Sequence, residues 1–242
     1  MRRILTLLTS LLLLALTVGK ASSTDWAVVA VSGDSEIAVF DNARTKLSQV
    51  FSPVASSIVQ LTNDDRLIDG ERRVYENTAE NIIASIKHLR GENRSNCLIY
   101  FTSHGQKATE EGGGIFIRRA NGLVGPSLLN ELLKEGCPKR KTVILISACY
   151  SGQFINDEMR GASRIILTSA RSDRTSFGCS SDFEFPYWDE CVFQNLKDAG
   201  TWKSLYEKVR SCVTAKENEE GFEPSEPQAF FGNKVSDMRI FD

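Results

Sequence analysis

At 242 residues, with a formal net charge of -2 and 41% hydrophobic against 25% charged residues, the chain has the make-up of one globular domain with a sizeable core. Lysine and arginine are scattered among aspartate and glutamate, so there is no basic stripe to neutralise a run of phosphates, and nucleic acid is excluded as a partner.

The N-terminus departs from this average. Arg2 and Arg3 precede an almost unbroken apolar run from Ile4 to Val18, followed by Gly19, Lys20 and Ala21. A basic start, a short apolar stretch and small residues before the junction form a secretory signal pattern, with cleavage expected after Ala21. The run falls short of the roughly 20 residues that span a bilayer, so membrane association is expected only through the uncleaved signal. Residues 1–21 are therefore assigned to the signal and 25–242 to a single domain. The mature protein is expected to be exported, periplasmic or secreted.

Trp26 to Val31 (WAVVAV) has the length and β-branched content of a buried strand. Similar runs recur at Ser57 to Leu61, Cys97 to Thr102 (CLIYFT), Thr142 to Ser147 (TVILIS) and Arg164 to Ser169 (RIILTS). Between them, Asn77 is placed to cap a helix whose apolar face is Ile82, Ile83, Ile86 and Leu89, and a second helix is expected from Pro126 to Gly136. A glycine-rich hairpin turning at Asn121-Gly122 should precede that second helix. Residues 216–227 are charged and contain prolines, which predicts a solvated loop before a last strand at Ala229 to Phe231. Strands alternating with helices give an α/β fold with a mostly parallel sheet covered on both faces.

Six cysteines stand at 97, 137, 149, 179, 191 and 212. Export permits disulfides. With Cys149 set aside five remain, so at least one other thiol stays free. Cys212, on one helical face with Trp202, Leu205 and Val209, is the candidate for that thiol. Cys179 and Cys191 bracket an aromatic, acidic segment and are placed to clamp it, while Cys97 and Cys137 are placed to bridge neighbouring elements.

Two apolar runs end unusually: CLIYFT leads into Ser103-His104-Gly105, and TVILIS into Ala148-Cys149-Tyr150-Ser151-Gly152. Ligands of open α/β sheets bind beyond the carboxyl ends of the strands, so a His and a Cys at two such ends are candidates to meet in one crevice. A thiol with an ordinary pKa of about 8.5 is mostly protonated at neutral pH, and an imidazole beside it can take the proton and later deliver it to a leaving amine. The backbone N–H groups of Gly105 and Cys149 are candidates for an oxyanion hole. Of the two histidines, His88 falls opposite the apolar helix face, which leaves His104 as the partner. One usable His and no close Cys pair argue against zinc, and the lack of Cys-x-x-Cys argues against thiol–disulfide exchange.

The segments YFTSHG and ILISACYSG resemble the His-Gly and Ala-Cys-x-Ser-Gly blocks of legumain-type C13 peptidases, and the similarity runs from WAVVAVSGD to RIILTSARSDRTSFGC and WDEC. It is nearest to the short bacterial members. The resemblance implies a caspase-like three-layer fold, a dyad of Cys149 (nucleophile) and His104 (general acid and base), no metal or organic cofactor, peptide or protein substrates, and cleavage after Asn or Asp. It implies substrate-binding positions at Ser147, where plant and animal relatives carry an acid, and at Asp189, which otherwise reads as a solvated loop residue. Control by a long C-terminal prodomain is not expected. Two alternatives stand beside hydrolysis: transpeptidation through the same thioester, and a noncatalytic binding module on the same fold.

Overall fold

The computed structural model describes residues 25–241 apart from 71, 72 and 93; the expected signal segment lies outside them. In chain order, β1 (Trp26–Ser32) leads to α1 (Val39–Phe51), β2 (Ala55–Thr62), a short α2 (Asp65–Gly70), β3 (Val74–Glu76) and α3 (Ala79–His88). Then come β4 (Asn96–Thr102), β5 (Gly105–Thr109), β6 (Gly112–Ile117), β7 (Gly122–Val124), α4 (Pro126–Gly136) and β8 (Thr142–Ser147). The chain continues through β9 (Arg164–Thr168), α5 (Tyr187–Asn195), α6 (Trp202–Glu220) and β10 (Gln228–Phe231).

The main sheet has the order β10-β9-β8-β4-β1-β2-β3 and is parallel throughout except where β10 joins β9. Its central strands read as continuous apolar runs because both faces are covered. Along β1, Trp26, Val28 and Ala30 face a core shared with α1, α5 and α6, while Ala27, Val29 and Val31 face a second core built with α3 and α4. The result is the three-layer α/β arrangement. Trp26 anchors the first core: its ring meets Phe51 and Trp202 edge-on at 5.7 and 5.6 Å, and its Nε1–H donates to the Ile240 carbonyl. Each such large side chain contributes about 1.5–3 kcal/mol by leaving water. The strands β5, β6 and β7 form a separate antiparallel sheet.

Several local expectations are corrected. The cap of α3 is Thr78, whose hydroxyl accepts from the Asn81 N–H; Asn77 is fully buried and instead donates to the Ser32 and Gly33 carbonyls. The stretch expected to be a loop from residue 216 is helical to Glu220, where Gly221 at φ 71° ends α6. Glu217, buried near its end, accepts from the Ser225 N–H.

Cysteine pairing also differs. Cys97 bonds Cys137, tying β4 to the end of α4, but Cys191 bonds Cys212 and joins α5 to α6. Cys212 is thus not free, Cys179 does not clamp its segment to Cys191, and the free thiols are Cys149 and Cys179. The packing of α5 on α6 decides this, because it brings one face of each helix into the same core.

Candidate active site

The three central strands end level with one another. Ser32 pairs with Thr102 across β1 and β4, and Thr102 pairs with Ser147 across β4 and β8. Asp34, His104 and Cys149 each lie two residues past one of these paired positions. The strand ends are stitched by Gly33 N–H to the Thr102 carbonyl (3.0 Å) and Ser103 N–H to the Ser147 carbonyl (3.1 Å). The order in which strands are added reverses here, since β2 lies on one side of β1 and β4 on the other, which makes this edge the expected ligand crevice.

Gly105 lies directly against the nucleophile segment: a Cβ at this position would stand 1.9 Å from the Cys149 carbonyl oxygen. Only glycine allows the two loops to touch. After Cys149 the chain turns sharply. Tyr150 is left-handed at φ 58°, its N–H donates to the Arg174 carbonyl at 2.7 Å, and Ser151–Phe154 forms a short 3-10 turn. A Cβ on Gly152 would press to 2.6 Å from the Ser172 N, so this glycine lets the turn pack on the segment after β9. From that segment the Ser176 N–H donates to Cys149 Sγ at 3.3 Å, and the Ser176 carbonyl lies 3.7 Å away.

The His104 side chain is 49% exposed and meets the Phe40 ring edge-on at 5.1 Å. Its Nε2 faces Asp34 Oδ2 at 4.0 Å. Asp34 is 1% exposed and gripped at both oxygens by Arg118, at 2.7 and 2.8 Å, with the Glu36 N–H donating at 3.0 Å. Burial would raise its pKa. The Arg118 hydrogen bonds, the Glu36 N–H and the charges of Arg118 and His104 outweigh burial and hold the carboxyl below its ordinary value. Sequence reasoning missed Asp34. Its one signal is position: a carboxylate two residues beyond a buried strand.

Asp189 is not a solvated loop residue. It sits on α5, 1% exposed, where the Tyr100 hydroxyl donates to Oδ1 at 2.5 Å and the Ser147 hydroxyl to Oδ2. Thr102 completes the set at 3.4 Å. Ser147 and Asp189 are thus in direct contact beneath the Cys149 loop. Among the described residues hydroxyls answer its charge, and burial pushes Asp189 up to about 7 and drives Tyr100 well above its ordinary value. Burial also pushes the Cys179 thiol up to about 12, with the charges of Cys149 and Asp189 adding to the effect.

Other features lie away from this crevice. His88 is exposed at the end of α3. A groove of about 590 Å³ along β2, lined by Thr45, Ser48, Gln60 and Arg73 among others, contains none of these reactive groups. Among the described residues no group of three His, Cys, Asp or Glu is arranged to hold a metal ion, and no helix is long and apolar enough to cross a membrane.

The family model of the C13 peptidases matches residues 72–237, more than half of the chain. The chain belongs to the peptidase C13 family. Among solved structures, caspase-1 from Spodoptera frugiperda is similar in fold, with a TM-score of 0.59 and 14% identity over 86% of each chain. No curated protein sequence matches the chain. Membership implies cysteine-peptidase chemistry on peptide or protein substrates, and the caspase likeness agrees with the seven-stranded, mostly parallel sheet of this C13 member.

Proposed function

We propose that this C13 member is an exported cysteine endopeptidase in which Cys149 is the nucleophile, His104 moves the protons and Asp34 orients His104. The observation that carries the proposal is the level ending of β1, β4 and β8 with Gly105 seated on the Cys149 backbone, which puts a thiol, an imidazole and a carboxylate at one edge.

With Nε2 turned toward Asp34, Nδ1 is the nitrogen left to serve the thiol. It takes the Sγ proton as sulfur attacks the peptide carbonyl carbon and a C–S bond forms. The Gly105 and Cys149 N–H groups are the donors for the developing oxyanion. The tetrahedral adduct collapses, the C–N bond breaks, and the imidazolium gives its proton to the departing amine. Water then attacks the thioester while His104 takes one of its protons; the C–S bond breaks and the proton returns to sulfur, releasing the acid. Throughout, ionised Asp34 lies behind the imidazolium and favours its charge.

Beneath the nucleophile, Ser147 and Asp189 are the proposed determinants for the side chain preceding the cleaved bond; a carboxyl and a hydroxyl suit an asparagine or aspartic acid side chain. The disulfides Cys97–Cys137 and Cys191–Cys212 support export to an oxidising compartment.

The test is turnover of fluorogenic peptides varied at the residue before the scissile bond, with purified wild type, Cys149→Ala and His104→Ala. Both variants should lose at least about 10³-fold in kcat/KM. Turnover that survives Cys149→Ala would overturn the proposal.

A further inference from the structure

Beside the nucleophile lies an aromatic surface that the proposed chemistry does not use. Ser176, whose N–H reaches Cys149 Sγ, is followed by Phe177, and the Phe177 ring stacks on Phe222 with centroids 4.4 Å apart and planes 6° from parallel. Phe222 is 40% exposed and Phe177 half-buried, so the pair offers an apolar face to solvent one residue along the chain from the N–H that reaches the reacting sulfur. Stacking hides one face of each ring from water and leaves the outer face of Phe222 as an apolar surface that a second apolar group could cover.

The pair is held on both sides. The Tyr187 N–H, at the start of α5, donates to the Phe177 carbonyl at 3.1 Å, and Tyr187 packs under Gly178. Phe222 follows the left-handed cap Gly221, and its N–H donates to the Glu217 carbonyl at 2.9 Å, a turn that fixes where the ring leaves α6. The two segments are clamped together by the Arg171 N–H to the Ser225 carbonyl, by Arg171 on Glu226 and by Arg174 on Glu223. A rigid aromatic face loses little side-chain freedom when it is covered, which favours its use in recognition.

We infer that Phe177 and Phe222 form a specificity subsite that takes an aromatic or large aliphatic side chain of the substrate, within three residues of the cleaved bond. This rests on the peptidase reading, because the occupant is the peptide whose carbonyl lies at Cys149. An extended peptide advances about 3.3 Å per residue with alternate side chains on opposite faces, so a substrate at Sγ carries a side chain past a neighbour of Ser176 within that span.

The experiment measures kcat/KM for peptides carrying Ala, Leu, Phe or Asp at each of the three positions on either side of the scissile bond, with wild type, Phe177→Ala, Phe222→Ala and Phe222→Leu. Expected is one position where Phe or Leu exceeds Ala by about tenfold or more in wild type. That ratio should fall below about threefold in both alanine variants and be largely kept in Phe222→Leu. No apolar preference at any position, or a preference unchanged by the alanine variants, overturns the subsite. Binding of the same labelled peptides to Cys149→Ala and to Cys149→Ala with Phe222→Ala, read by fluorescence anisotropy, separates the two claims. Absent turnover combined with tighter binding of Phe peptides that Phe222→Ala abolishes sinks the chemistry and keeps the subsite, whereas equal affinities sink the subsite.

Discussion

Asp34 and Asp189 are each 1% exposed and lie on either side of the strand-end level, one above it facing His104 and the other beneath it touching Ser147. Above, Arg118 answers the charge at both oxygens and the carboxyl stays below its ordinary pKa; beneath, only hydroxyls answer it and the carboxyl rises to about 7. Equal burial therefore has opposite consequences, and the partner decides which. The upper region is built to keep a charge next to the reacting groups. The lower region is built to hold a carboxyl that sheds its charge near neutrality.

The comparison can be broken from below first. Cys191→Ser with Cys212→Ser removes the tie between α5, which carries Asp189, and α6; the loss should be about 3–4 kcal/mol by the loop-closure relation, read as a lower urea midpoint. An unchanged midpoint would mean that α5 is held by packing alone.

Next comes the charge itself. The folded-state pKa of Asp189, about 7, lies well above the ordinary 3.8 of an aspartate side chain. The unfolded chain thus releases its proton first as pH rises, and wild type loses a few kcal/mol of stability between about pH 4 and pH 7 from this group. Asp189→Asn, which keeps hydrogen-bonding groups for Tyr100 and Ser147, should flatten that slope in urea melts taken at several pH values. Parallel curves for the two proteins would show that the lower carboxyl ionises freely.

The smallest effect is expected above. Asp34→Asn retains a partner for Arg118 and removes the charge behind His104, which should cost about 10- to 100-fold in kcat/KM. Because Asp34 faces His104 and lies outside the path of the substrate, the loss should fall on kcat with KM little changed. A loss of folded protein with kcat unchanged in the folded fraction would make Asp34 a packing residue only.

His104 and Cys149 were legible because each follows an apolar run that could only be a buried strand, and the five long strands were legible for the same reason. Asp34 was hidden because Ser-Gly-Asp is an ordinary strand exit and its partner Arg118 lies 84 residues away, in the turn that joins β6 to β7. The last turn of α6 was hidden because Lys216 to Glu220 read as a polar loop, although a helix with one solvated face carries the same residues; Gly221 was the available stop signal. Cysteine pairing depends on how α5 and α6 meet, which no spacing along the chain encodes.

The most direct measurement is to quench wild-type enzyme in acid during turnover of a good peptide substrate and map it by mass spectrometry. A thioester intermediate predicts an acyl adduct on Cys149, absent from Cys149→Ala, while Cys179, its thiol pushed up to about 12, stays unmodified. Sustained turnover with no adduct on Cys149, or with the adduct on Cys179, would contradict the account.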